Sequence, residues 1–192
     1  FTLKKYDRII IEKELFPYVP SIFERIIKDF GIKYIVDYDD AIFHNYDLNK
    51  NLIIRFILKR KINRVMKWSS CVIAGNKYLA ERAKIAGAAR IEIIPTVIDT
   101  ELYSFKKKES GDDFLIGWIG SPSTFKYVEK IEEVLKMLVE KYAVRVHLIG
   151  VKGNLELGKH VKYIKWREDT EIEGVQKFDV GIMPLEHTPW EL

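Results

Sequence analysis

The sequence predicts an α/β protein made of two units, each a parallel sheet covered by helices. Three observations carry this. Short apolar runs alternate with segments of helical periodicity along the chain. The alternation lapses from Asp99 to Asp113, where Lys106 to Lys108, Ser110, Gly111, Asp112 and Asp113 are solvated and turn-prone, and then restarts. Charge changes at the same place: residues 1–111 hold 21 basic and 14 acidic side chains, residues 112–192 hold 11 and 14. The expected organisation is a first unit over 1–99, a linker over 100–113 and a second unit over 114–192.

The first unit opens with an apolar run at Arg8 to Ile11. From Val19 to Phe30, Ile22, Phe23, Ile26, Ile27 and Phe30 repeat at helical spacing, and Gly31 ends the helix. Tyr34 to Val36 is a strand, a long helix fits 49–68, and Cys71 to Ala74 is a strand. A helix then runs from near Asn76 to Gly87, and the strand Ile91 to Ile94 stops at Pro95. In the second unit, Phe114 to Ile119 is a strand, followed by a helix over 125–141. Strands follow at Arg145 to Ile149 and Val161 to Lys165, then a short helix over 170–177 and a strand at Asp179 to Met183. Parallel strands need cover on both sides. With Phe1 at one end and Leu192 just past a strand, the expectation is a fragment or trimmed chain with both units incomplete.

Composition narrows the class. Of 192 residues, 47% are apolar and 31% charged, which suits a packed core and excludes a disordered tail or a collagen-like chain. Net charge is +4, too small to argue for nucleic acid. The single cysteine, Cys71, excludes an internal disulfide framework and a thiolate zinc cluster. It reads as a buried thiol in a reducing, cytoplasmic compartment. No apolar run reaches the ~18–20 residues that span a bilayer.

Ligands of open parallel sheets bind past the carboxyl ends of the strands. After Phe114 to Ile119 comes Gly120-Ser121-Pro122-Ser123-Thr124. Gly120 admits close backbone approach, amides and the Ser121, Ser123 and Thr124 hydroxyls could hold phosphate oxygens, and Lys126 could add charge. The alternative is a plain strand-to-helix turn with a hydroxyl N-cap. After Tyr34 to Val36, the Asp37, Asp39 and Asp40 carboxylates repel unless something positive sits among them. A divalent metal, the hydroxyls of a polar acceptor, or helix capping would each account for them. Glu12 and Glu14 end the first strand at the same edge, as acid or base candidates or as a solvated loop. In 49–68, Ile54, Leu58, Ile62, Val65 and Met66 share one face. Ile53, Phe56 and Ile57 lie opposite with Arg60, Arg64 and Lys67. That second face suits an anionic membrane surface or another part of the protein. No nucleic-acid motif accompanies it. His44, His147, His160 and His187 show no zinc spacing, and no GxSxG elbow occurs. Trp118 and Trp166 are core rings, or one of them flanks a base.

Five segments in order resemble the GT-B glycosyltransferases of the retaining group 1, family four class. They are Asp37 to Phe43, Ala74 to Ala80, Ile94 to Asp99, Ile116 to Thr124 and Phe178 to Leu185. The resemblance implies two Rossmann-like domains, the first binding acceptor and the second a nucleotide-diphosphate sugar. Gly120, Ser121, Ser123, Thr124 and Lys126 would face the donor diphosphate. Ser121 stands where many relatives have arginine. Glu12 and Glu14 fall where relatives place a strand-end polar residue, often histidine, so Glu12, Glu14, Asp39 and Asp40 are the acceptor-side candidates. Chemistry in this class retains the anomeric configuration and needs no metal and no cofactor beyond the donor. The acceptor would be a glycan or a lipid-linked sugar, and the enzyme cytoplasmic or peripheral at the inner face of a membrane. The usual second-domain glutamates would lie past Leu192 and an early phosphate loop before Phe1, so these 192 residues alone are expected to transfer little or no sugar. The rivals are a non-catalytic sugar-nucleotide or membrane-docking module of the same fold, and another GT-B enzyme such as an epimerase or phosphorylase.

Overall fold

A computed structural model describes residues 5–104 and 113–186. Most of the expected linker, including Lys106 to Lys108, and His187 lie outside these described residues. The chain divides into two compact units, one ending at Val97 and the next running from Ile98 to Glu186. Residues ahead of the expected linker already belong to the second unit. Within the expected linker, the Tyr103 hydroxyl donates to Glu171 Oε1 (2.8 Å) and Gln176 Nε2 donates to the Ser104 carbonyl (2.9 Å).

The first unit is a parallel sheet in the order β1-β2-β3-β4, with β1 Ile9–Glu12, β2 Tyr34–Tyr38, β3 Cys71–Ala74 and β4 Ile91–Ile93. Pairing sets Glu12 beside Asp37 and Val36 beside Val72. Its core gathers Ile11, Tyr34, Val36, Tyr38, Phe43, Val72 and Ala74 with the inner faces of the helices. Cys71 lies on the opposite side of β3 from the fully buried Val72 and Ala74, so it is half-buried rather than a core thiol. Helix α1 (Ile22–Asp29) buries only part of the face its periodicity predicts, Ile27 fully and Ile26 in part. Ile22, Phe23 and Phe30 of that face are exposed, and the charged Glu24 turns inward. Glu24 Oε1 accepts the Leu15 N–H at 3.1 Å, and that partner makes a buried carboxylate tolerable.

The expected long helix over 49–68 is two. After α2 (His44–Asp47), α3 covers Leu52–Leu58 and α4 covers Lys61–Trp68. Asn51 caps α3, its Oδ1 accepting from the amides of Ile53 (2.9 Å) and Ile54 (3.4 Å). At Arg60 the backbone leaves helical geometry (φ −105, ψ 6), which carries Lys61 into the interior. The predicted core face survives the break. Leu58, Ile62, Val65 and Met66 are buried and Ile54 packs against them. Helix α5 (Lys77–Ala86) starts at Asn76, whose Oδ1 accepts the Leu79 amide, and ends at Gly87 with φ +81.

The second unit is a parallel sheet in the order β7-β6-β5-β8, with β5 Phe114–Ile119, β6 Val144–Ile149, β7 Val161–Ile164 and β8 Val180–Gly181. Helices α6 (Phe125–Glu129), α7 (Glu132–Lys141) and α8 (Glu171–Val175) connect them. The single helix expected over 125–141 is therefore interrupted, at Lys130 and Ile131. The expected strand over 179–183 shrinks to two exposed residues, because only β5 lies beside it. Trp118 is a core ring, 6.1 Å from the Phe125 ring. No helix of the described residues is long and apolar enough to cross a membrane.

Candidate functional site

In the first unit the candidate acids meet at the carboxyl edge of β1 and β2. The chain leaves β1 through a γ-turn: Lys13 stands at φ +62, and the Glu14 amide donates to the Glu12 carbonyl at 2.7 Å. The Lys13 amide donates to the Asp37 carbonyl at 2.9 Å, which ties the turn to β2. Lys13 Nζ then lies 3.0 Å from a carboxylate oxygen of Asp39 and 3.0 Å from one of Asp40. The cation that three neighbouring aspartates require is thus Lys13, between the two glutamates the sequence singles out. Its hydrogen bonds to Asp40 and Asp39 raise its pKa. Burial works to raise the Asp39 carboxyl, but the Lys13 hydrogen bond, backbone hydrogen bonds and the Lys13 charge together hold it below its ordinary value. Glu12, Asp39 and Asp40 are exposed at this edge.

Glu14 is elsewhere. Its side chain is 7% exposed and forms an ion pair with Lys61, itself 1% exposed. Glu14 Oε1 also accepts the Tyr46 hydroxyl at 2.6 Å. Lys61 donates to the Phe16 carbonyl at 2.5 Å, and the Tyr46 oxygen accepts the Tyr18 amide at 3.1 Å. Burial pushes the Tyr46 hydroxyl pKa well up, and the Glu14 hydrogen bond pushes it further. With Glu24 on the Leu15 amide, these buried groups hold the backbone of residues 15–18 from beneath. Glu14 is part of that scaffold. Beside it the Tyr38 hydroxyl is buried with no hydrogen-bond partner among the described residues.

In the second unit, Ser121 to Thr124 are exposed and Gly120 is partly so, past the carboxyl end of β5. The Ser121 and Ser123 hydroxyls are 2.7 Å apart, and the Thr124 hydroxyl donates to the Ser121 carbonyl at 3.0 Å. Thr124 occupies the N-cap of α6 without a side-chain capping bond, because its hydroxyl closes the turn instead. Gly120 has no room for a side chain: a Cβ there would stand 2.5 Å from the Trp118 ring. Its amide donates to the Ile149 carbonyl at 3.1 Å. Lys126 is exposed, with Nζ 4.8 Å from the centre of the Tyr127 ring.

One residue at this edge, Gly150, escapes the sequence reading. Gly150, at φ +93, ends β6, and a Cβ there would meet the Gly120 carbonyl oxygen at 2.1 Å and Trp166 Cβ at 3.6 Å. The detectable signal is an apolar strand running straight into glycine, as at Ile119-Gly120. Trp166 is the exposed member of the tryptophan pair, and its indole N–H donates to Glu171 Oε2 at 2.6 Å.

Ile53, Phe56 and Ile57 are exposed on α3, with Arg60 beyond its end and Arg64 and Lys67 exposed on α4. His44 is absorbed structurally, between Asp47 (2.8 Å) and the Tyr78 hydroxyl (2.7 Å). Among the described residues no group of three or more His, Cys, Asp or Glu is placed to hold a metal.

These two edges sit on a known architecture. TarM superposes with a TM-score of 0.59 over 91% of this chain and 35% of that chain, at 13% identity. The fold is GT-B, present in part. S. aureus TarM carrying a point substitution, in complex with fondaparinux, alpha-GlcNAc-glycerol and UDP, gives 0.51 over 78% of this chain and 31% of that one, at 13% identity. The apo form of the lipopolysaccharide outer core galactosyltransferase WaaB gives 0.51 over 83% and 52%, at 12% identity. This chain therefore spans about a third to a half of the GT-B structures it matches. No protein-family model matches the sequence, and no curated protein does.

Proposed function

We propose that this chain is the junction part of a retaining, metal-independent glycosyltransferase. It would use a nucleotide-diphosphate sugar and a glycan or lipid-linked acceptor, with residues 1–99 on the acceptor side and 114–192 on the donor side. The observation that carries this is the exposed, hydroxyl-bearing loop Ser121 to Thr124 past the carboxyl end of β5, on a GT-B fold. UDP in the S. aureus TarM complex supports the donor class.

In such a transfer the bond from the anomeric carbon to the diphosphate oxygen breaks, and its electron pair leaves with the diphosphate. The acceptor oxygen bonds the carbon, and its proton passes to the departing diphosphate oxygen. Positive charge grows on the sugar and negative charge on the leaving group. Amides and hydroxyls of Gly120 to Thr124 and the Lys126 ammonium would stabilise the latter, as fixed dipoles do for other developing oxyanions. Trp166, exposed and held by Glu171, is the ring available to the base. On the acceptor side Glu12, Asp39 and Asp40 remain the candidates for binding sugar hydroxyls, with Lys13 setting the two aspartates.

Calorimetry on the full-length protein tests this. UDP- or GDP-sugars should bind without added metal, and Lys126→Ala should weaken nucleoside diphosphate about tenfold while leaving nucleoside unchanged, as loss of one charge-assisted contact implies. Equal weakening of both would remove Lys126 from the phosphate, and no binding of any nucleotide sugar would remove the donor assignment.

A further inference from the structure

Residues 48–80 contain eight basic side chains and no aspartate or glutamate. Lys61 turns inward to Glu14, and Lys77 opens α5. The other six, Lys50, Arg55, Lys59, Arg60, Arg64 and Lys67, are exposed and make no ion pair among the described residues. Several bases elsewhere in this unit are paired: Lys13 with Asp39 and Asp40, Arg25 and Lys28 with Asp29, Arg82 with Asp47, Arg90 with Glu92. Four of the six, Arg55, Lys59, Arg60 and Arg64, border an apolar stripe on α3. Leu52, Ile53, Phe56 and Ile57 are 66, 69, 79 and 52% exposed, in two pairs four residues apart, so their side chains adjoin on the helix surface. Asp47, the carboxylate bordering Leu52, Arg55, Phe56 and Lys59, is held by Arg82 at 2.9 Å and His44 at 2.8 Å.

We propose that this face of α3 and α4 docks on an anionic bilayer surface. Four large apolar side chains in one patch gain by leaving water for the boundary between headgroups and acyl chains. Lysine and arginine lie along such a boundary with stems in the apolar layer and charges among lipid phosphates. Unpaired bases meet those phosphates without first losing a carboxylate. A nucleic acid would use the bases but not the aliphatic stripe, since stacking needs aromatic faces and α3 offers only Phe56. The exposed patch on α1, with Ile22, Phe23 and Phe30, lacks this character because Asp29 neutralises its bases. The docking surface stands apart from glycosyl transfer, and its test reads binding rather than activity.

Co-sedimentation of the full-length protein with phosphatidylcholine vesicles, with and without phosphatidylglycerol, tests the proposal. Binding to the phosphatidylglycerol vesicles should exceed binding to pure phosphatidylcholine by at least about tenfold and fall with added salt. The charge reversal R60E/R64E/K67E should lower it by about tenfold or more, and so should Ile53→Ser with Phe56→Ser. The substituted side chains are exposed, so thermal melting should match the parent. Equal binding to both vesicle types, or binding unchanged in either variant, would overturn the proposal. So would single-stranded RNA that displaces the vesicles and binds the Ile53→Ser, Phe56→Ser protein as well as the parent. None of these results depends on whether nucleotide sugars bind.

Discussion

Lys13 holds a left-handed backbone that a lysine adopts only at a cost of about 1–3 kcal/mol. Its two carboxylates and the bond from its own amide to the Asp37 carbonyl offset that cost. Replacing it by methionine leaves the turn and removes the cation. The pair is largely exposed, so the loss near neutral pH should be about 1 kcal/mol or less. Its pH dependence is more telling. Asp39 has a depressed pKa, so its share of stability is present above the ordinary carboxyl range and disappears as pH falls through the depressed value. Lys13 has a raised pKa, so its share is present below the ordinary lysine value and disappears as pH rises through the raised one. Melting curves of parent and Lys13→Met should differ around neutrality and converge at both extremes; a constant gap would mean that the charges are not the link. The sequence located Glu12, Asp39 and Asp40 at one edge because parallel pairing dictates it. It also demanded a cation there. Lys13 went unread as that cation because nothing in the residue type marks a lysine for φ +62.

At the scale of elements, amphipathic spacing was a good guide to the apolar face of the helix pair α3 and α4. Leu58, Ile62, Val65 and Met66 were legible as a core face even though the helix breaks before Lys61. Spacing did not announce the charged residues that are buried as well. On α1 the helix turns to satisfy Glu24 with a loop amide, and on α4 the break at Arg60 delivers Lys61 to Glu14. Partners of this kind sit far apart in sequence, so no local pattern announces them. Removing one member strands the other in the interior. Lys61→Met should cost about 3–5 kcal/mol of unfolding free energy, and adding Glu14→Leu should recover much of it. Denaturant unfolding of the two variants and the parent checks this. A double variant no more stable than Lys61→Met would mean that the pair does not act as a unit.

For the whole molecule, the α/β class and the two parallel sheets were readable because strands buried on both faces leave short apolar runs, and helices between them keep a different period. Five weak segments in order pointed to GT-B, and the superposition on TarM and WaaB supplies the fold. Sites were less legible, since they lie on loops whose geometry depends on packing beneath: Gly120 yields to the Trp118 ring, and Gly150 to the Gly120 carbonyl. Under the proposed function, the loop that this packing shapes is the surface offered to the donor diphosphate. Amide chemical shifts in the full-length, nitrogen-15-labelled protein titrated with UDP test this most directly. The account predicts saturable shifts centred on the amides of Gly120 to Lys126, together with the Trp166 indole N–H. Shifts centred on other residues with this loop silent, or no saturable shift at all, would contradict it.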